Sequence, residues 1–245
     1  MREIEANRQA WELLSEEHFN TYRQRLADPQ FGLNAIIRAE IGDVRGKSIL
    51  HLQCNTGADS ILLQRLGAKG TGVDFSAANI RHARLLAAEF EAGDIQFIES
   101  DVSRLLEVHS DSYDMVFTTD GVIGWLPDLN VWAQVIAKSL KPGGELYLHD
   151  NHPAYQIFDG DALEEGRFSI DVPYFEKAVY ESEELGGYAG ERRETINYFW
   201  LHTFESIFQA LLGAGLAVTF LSEHDRGTPG MGGSALDDRG LAYIP

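Results

Sequence analysis

Ser48-Ile49-Leu50-His51-Leu52-Gln53-Cys54-Asn55-Thr56-Gly57-Ala58-Asp59-Ser60, with Gly72-Val73-Asp74-Phe75-Ser76 behind it, decides the fold. A short apolar run that enters a Gly-containing turn and leaves it on an amphipathic segment predicts strand, tight turn and helix. In an open parallel sheet, ligands bind beyond the carboxyl ends of the strands, and the first such turn must let its backbone come close to the ligand. Gly57 is the residue there with no Cβ to block the approach. Asp74 closes the next apolar run, 21 residues after Gln53, where a carboxylate can accept hydrogen bonds from both hydroxyls of an adenosine ribose. Asp101 follows the third run, in IESDVSRL. Its short side chain can reach an adenine amino group while Val102 packs against the ring. Turn and acid together are far more specific than either alone.

Working outward, short apolar runs at 48–53, 70–74, 95–99, 113–118 and 145–149 alternate with amphipathic stretches, the pattern of βαβ units around a parallel sheet. Ser76 is a good N-cap for a helix that puts Ile80, Ala83, Ala87 and Phe90 on one face. After Pro127, residues Leu129, Trp132, Ile136 and Leu140 share a face, and Lys141-Pro142-Gly143-Gly144 stops the helix. The first 45 residues read as helical, with Trp11, Leu14, His18, Tyr22 and Leu26 spaced by three or four. From Asn151 the composition shifts toward Gly, Glu, Tyr and Phe, and alternation at 179–181 and 196–200 suits antiparallel strands. A helix at 203–212, a strand at 217–221, a Gly- and Asp-rich loop at 226–240 and a last edge strand at 241–244 complete the expectation. The organisation expected is one domain: a helical cap (1–45), a core (46–150), an insertion or lid (151–200), and a closing helix with strands (201–245).

A length of 245 residues suffices for one α/β core, and the net charge of -18 opposes binding to a phosphate backbone. The single cysteine, Cys54, excludes an intramolecular disulfide and reads as a small buried apolar residue. The first 19 residues mix charges throughout, and no apolar run reaches membrane-spanning length, so a cytoplasmic protein is expected, with no nucleic-acid or membrane partner.

These stretches resemble the motifs of class I S-adenosylmethionine-dependent methyltransferases, in which the first strand and turn usually read like LDLGCGTG and the second strand ends in an acid. Leu50–Gly57, Gly72–Ser76, the run FTTDGVIGWLPD (117–128) and SLKPGGELYL (139–148) are similar in turn to the family's first turn, second strand, fourth strand with its loop, and fifth strand. The resemblance covers residues 45–150 well and the late helix and strand more loosely. His51 stands where the family has an acid, and Gln53 and Asn55 where it has glycine, a variant with HLQC that is similar to a subgroup of bacterial methyltransferase-like proteins. Asn tolerates left-handed backbone angles, whereas a side chain at position 53 must lie beside the methionine moiety or point away.

The resemblance implies an α/β, Rossmann-like, doubly wound, mostly parallel seven-strand-type sheet with an inserted antiparallel lid and N-terminal helices. It implies S-adenosylmethionine as cofactor, a small-molecule methyl acceptor, and a monomer or homodimer. Gln53, Asn55, Thr56 and Gly57 would line the methionine end, and Asp74 would hold the ribose. Phe75 and Val102 would sandwich the adenine with Asp101 at its edge, and Thr118 or Thr119 and Gly121 would lie near the sulfonium. Methyl transfer carries its own leaving group, so no obligatory catalytic side chain follows. For a hydroxyl or amine acceptor a base would help. The candidates are His149, Asp150 and His152, with His152 preferred for its place in the turn HDNHP.

Other readings stand beside these. His51, His149 and His152 could gather as metal ligands, but no carboxylate or thiolate set accompanies them at recognisable spacing, and no metal is assigned. Trp11, His18 and Tyr22 either pack or form a lid over the donor. Trp125, Tyr155, Tyr174 and Trp200 either line an acceptor pocket or form the insertion's own small core. A binding protein that keeps the fold without catalysis is a rival motivated by His51, Gln53 and Asn55. A nicotinamide-dependent oxidoreductase should show a G-x-G-x-x-G turn, which 51–59 lacks.

Overall fold

The structure, a computed structural model, describes residues 2–159, 162, 167–186 and 189–224. Five apolar runs pair in parallel: β1 (Ser48–Leu52), β2 (Lys69–Asp74), β3 (Gln96–Glu99), β4 (Tyr113–Thr119) and β5 (Leu140–His149). Their order is β3-β2-β1-β4-β5. Leu50 stands in register with Thr71 on one side and Val116 on the other. Strand order therefore reverses at β1 and β4, and a crevice opens there at the carboxyl ends, where such sheets bind ligands.

Helices α3 (Ala58–Arg65), α4 (Ala77–Glu89), α5 (Leu105–Val108) and α6 (Leu129–Ser139) make the crossovers. The sheet buries both faces, as near-continuous apolar strands require. Ile61, Leu62, Ile80, Ala83, Leu86 and Phe97 fill one side, and Trp132, Ala133 and Ile136 pack with Leu50 and Val116 on the other. The starts of α4 and α6 follow from their caps. Ser76 Oγ accepts from Asn79 N at 3.1 Å, and Asp128 Oδ1 accepts from Asn130 N at 2.8 Å. The Lys141–Gly144 turn falls inside β5, where the β4–β5 ladder shifts register between Tyr113 and Met115.

The amino-terminal residues form α1 (Arg2–Ala27) and α2 (Ala35–Glu40). The two short alternations around 180 and 198 are parts of longer strands, β6 (Val179–Gly186) and β7 (Arg192–Trp200), joined as an antiparallel pair. Helix α1 lies against this pair. Asn7, 1% exposed, donates Nδ2 to Tyr198 O at 2.8 Å and accepts from Tyr198 N at 2.6 Å, so one amide satisfies both groups on the strand's outer side. Thr21 Oγ1 donates to Ala189 O at 2.7 Å. Helix α1 also meets α4 through Ser15 and His82, 2.8 Å apart.

The sheet differs from the expected seven strands: among the described residues it has five, with β5 at its edge. After α7 (Phe204–Gly213), capped by Thr203, the chain turns at Gly215 (φ +85°). Residues 217–221 form no ladder with the described residues, and Val218, Phe220 and Leu221 are exposed. β-branched and aromatic residues fit a pleated surface but need a neighbouring strand to become one. The expected loop at 226–240 and strand at 241–244 lie outside the described residues. Among the described residues, no helix is long and apolar enough to cross a membrane.

Candidate functional site

The turn after β1 keeps its shape without the usual glycines. Gln53 and Asn55 stand at φ +54° and +50°, and Gly57 at φ +76°. Left-handed angles cost a non-glycine residue about 1–2 kcal/mol, less for Asn, which can hydrogen-bond locally. Local bonds compensate here. Asn55 Oδ1 accepts from Thr56 N at 2.7 Å, Asn55 N donates to Asp74 Oδ2 at 2.9 Å, and the Asn55 amide reaches His18 Nδ1 at 3.2 Å. Gln53 Nε2 donates to Val122 O at 3.0 Å, tying the turn to the loop after β4. Its Oε1 is buried without a hydrogen-bond partner, as is Thr56 Oγ1.

At the carboxyl ends of the strands lies a cavity of about 880 Å³. Gln53, Asn55, Thr56, Asp74, Phe75, Asp101, Val102 and Gly121 all line it, together with Thr119. Three expected residues do not. Gly57 lies behind the wall, because the space a Cβ would take is filled by Phe97 and Ala83, at 2.8 and 2.9 Å. That glycine serves helix-to-strand packing, not ligand approach. Thr118 is fully buried, one residue too deep in β4. His152 sits outside the cavity, with Nε2 on Glu223 at 3.0 Å, Nδ1 accepting from Ala154 N at 3.1 Å, and its ring against Phe204.

Asp74 closes β2 at 6% exposure, and burial pushes its pKa up to about 6 against the hydrogen bonds that favour the anion. Oδ1 accepts from Ser76 N at 2.9 Å and Asn79 Nδ2 at 3.2 Å, while Oδ2 takes only Asn55 N. A carboxylate has about four lone-pair sites, so Oδ2 keeps one for a ligand hydroxyl. Asp101 caps the short 3₁₀ turn Val102–Arg104 with Oδ1, which accepts from Ser103 N and Oγ at 2.8 and 2.7 Å.

The cavity is also lined by residues the sequence did not single out. Asp59, Asp120, Arg25, Phe31 and Asn34 line it beside Trp11, Tyr22 and Trp125. The acid Asp59 lies one helical step past the turn and would be read there only as a helix-start carboxylate. Burial and the Asp120 charge push its pKa up to about 7. Asp120, at φ +64°, bonds His149 Nδ1 at 2.8 Å. Burial pulls His149 down, but the hydrogen bond and charge of Asp120 outweigh it and hold the ring above its usual range. His51 is the reverse case: burial lowers it to about 3, so it is a neutral ring bonded to Ser60 Oγ at 2.8 Å. Cys54 is buried, and burial beside Asp74 raises its thiol. Among the described residues no three His, Cys, Asp or Glu side chains could hold a metal ion.

Asp150 shapes the loop after β4. Its carboxylate accepts from Gly121 N at 3.1 Å and from Val122 N and Ile123 N, both at 2.9 Å. Behind the loop, Trp125 stands edge-on to Trp11 (5.2 Å) and Phe199 (5.6 Å). A Cβ on Gly124 would overlap the Phe199 ring. Among the described residues, none of the lining comes from 151–200; β7 backs the wall and α1 contributes to it. Tyr155, Tyr174 and Trp200 stay out of the cavity, and the Tyr174 hydroxyl accepts from Phe204 N.

Comparison with known proteins agrees with this geometry. The model of the methyltransferase domain matches residues 50–146. The chain is similar to a ubiquinone biosynthesis O-methyltransferase of Nitrosococcus oceani, 36% identical over 105 residues that cover 42% of each chain. It is also similar to an arsenite methyltransferase of Mus musculus, 31% identical over 120 residues that cover 44% of this chain and 32% of that one. The chain thus spans under half the length of these curated relatives. A crystal structure of an S-adenosylmethionine dependent methyltransferase from Mesorhizobium loti shares the fold, with a TM-score of 0.59 and 24% identity over 78% of this chain and 83% of that one. Residues 50–146 thus match a methyltransferase domain, and the strand order β3-β2-β1-β4-β5 with an acid at the end of β2 is the fold that such a domain takes.

Proposed function

We propose that the protein transfers a methyl group from S-adenosylmethionine to a small molecule held between the sheet and α1. The observation that carries the reading is the cavity that gathers Gln53, Asp74, Asp101, Val102 and Gly121 from four separate strand ends. Asp74 Oδ2 takes a ribose hydroxyl, Phe75 and Val102 flank the adenine, and the open Oδ2 of Asp101 takes its amino group. Gln53, Asn55 and Thr56 line the methionine moiety. The orphaned Oε1 and Oγ1 of Gln53 and Thr56 suit its ammonium. Thr119 and Gly121 lie beside the sulfonium, with Thr118 supporting them from below.

When bound, S-adenosylmethionine supplies an electrophilic methyl group on a good leaving group. The chain's own task is to align the two partners and keep water out. Trp11, Tyr22, Phe31 and Trp125 form the apolar wall that does so. The cavity volume suits a donor with a small acceptor. The surviving left-handed turn at Gln53 and Asn55 supports a working donor site over a silent one.

Calorimetry with S-adenosylmethionine, S-adenosylhomocysteine and NADH tests the reading. Both adenosyl ligands should bind and NADH should not. Asp74→Ala should weaken adenosyl binding about tenfold, the worth of a charge-assisted hydrogen bond. No adenosyl binding at millimolar concentration sinks the reading, and full binding by Asp74→Ala removes the ribose assignment.

A further inference from the structure

The half of the cavity away from the nucleoside has more hydrogen-bond acceptors than one methionine ammonium can serve. Asp59, the second residue of α3, lines the cavity and makes no hydrogen bond or ion pair with the described residues. Thr56, on the same wall, is 0% exposed and its Oγ1 has no partner. Gln53 has spent its amide N–H on Val122 O and keeps a buried, unpartnered Oε1. An ammonium carries three N–H donors, and the lone pairs on these groups outnumber them. Asp59 is half-buried on the cavity wall, and a carboxylate partly withdrawn from water is costly to leave unpaired, so the surplus points to a second ligand that brings donors and positive charge.

The walls agree. Tyr22, Phe31, Trp11 and Trp125 line the same cavity as Asp59, and the two indoles meet edge to face at 5.2 Å. Aromatic faces attract ammonium groups as well as apolar ones. The titratable groups that face Asp59 are Asp120, bonded to His149, and the Tyr22 hydroxyl, which burial and the two carboxylates push up to about 12. Arg25 also lines the cavity, with its guanidinium 5.3 Å from the centre of the Tyr22 ring. An anionic acceptor would meet like charge at Asp59 and Asp120, while a cationic one would be drawn in.

Resting on the methyl-transfer reading, we propose that the acceptor is a small amine whose nitrogen is held by the Asp59 carboxylate between the aromatic walls of α1 and Trp125. The bound ammonium first gives one N–H proton to the Asp59 carboxylate and from there to water, which frees the nitrogen lone pair. That lone pair forms the N–C bond as the donor's C–S bond breaks, the C–S electron pair leaves on sulfur, and the product departs as a methylated ammonium. Asp59, on the cavity wall, takes the base role that the sequence assigned to His152.

The test measures calorimetric binding of benzylamine and 2-phenylethylamine, each against its alcohol, to the protein saturated with S-adenosylhomocysteine. At least one amine should bind about tenfold or more tightly than its alcohol, and Asp59→Asn should abolish the preference. Asp59→Ser serves as a second variant with the same expectation, and thermal melts check that each variant folds. S-adenosylhomocysteine should bind Asp59→Asn within about threefold of wild type, less than one charge-assisted bond is worth. Three outcomes overturn the proposal: no amine preferred over its alcohol, a preference that survives both variants, or a loss of S-adenosylhomocysteine affinity of about tenfold in Asp59→Asn, which would put Asp59 on the donor. Failure of S-adenosylhomocysteine to bind wild type strikes the methyl-transfer reading instead, and the amine-over-alcohol comparison on the free protein still decides the Asp59 site.

Discussion

Replacing Gly57 with Ala separates packing from ligand approach at the heart of the turn. Gly57 caps α3 at φ +76°, where an Ala costs about 1–2 kcal/mol in backbone strain. The new methyl would lie 2.8 Å from Phe97 Cε1 and 2.9 Å from both Ala83 Cβ and Phe97 Cζ. These groups belong to the buried cluster under α4, where over-packing costs about 1–3 kcal/mol. Together the penalty is about 2–5 kcal/mol, and for a chain of this length each kcal/mol lowers Tm by about 2–4 °C. Urea unfolding followed by circular dichroism, with thermal melts alongside, measures the loss. The reasoning is refuted if Gly57→Ala keeps wild-type stability and loses only S-adenosylhomocysteine binding, since that is how a glycine reserved for ligand approach behaves.

Two further outcomes follow from buried polar groups. Asn7→Ala strips partners from both the N–H and the C=O of Tyr198, at about 1–3 kcal/mol each, and should lower stability by about 2–6 kcal/mol in urea; a change under about 0.5 kcal/mol, the range of ordinary surface substitutions, would show that water replaces the amide. Asp59 titrates near 7 when folded against 3.8 when unfolded. The folded state therefore holds the extra proton between those values, and stability falls as pH rises through that window. From pH 5 to pH 8 wild type should lose about 2–3 kcal/mol more than Asp59→Asn. Parallel pH profiles for the two proteins would contradict the assignment.

Much of the donor half was legible because it rests on local rules. Ser76 announces its helix through capping, and the runs ending at Asp74 and Thr118 announce strands through apolar content. Asp74, Asp101 and Val102 sit at strand ends, where period and topology together determine direction. Gly57 was placed correctly on the turn, yet its role depends on Phe97, forty residues away in sequence. The acceptor half was less legible for the same reason. Phe31 and Asn34 lie in an irregular connection with no period, and Asp59 looks like any acid in a helix's first turn. The helix stripe of α1 did reveal Trp11 and Tyr22. It could not reveal that Asn7 would bind a strand 191 residues later.

Asp150 bears on which reactions this site can support. Three consecutive amides, from Gly121 to Ile123, all point at one internal carboxylate. Such a row of N–H groups is what acyl-transfer enzymes aim at an oxyanion as it forms. Here the row is already taken by a built-in anion, so a substrate oxygen gaining negative charge would find no such cradle in this loop. Transfer from a sulfonium disperses a positive charge and builds no oxyanion. The loop is thus preset against one large class of chemistry, and the chemistry proposed for this cavity needs nothing that it lacks.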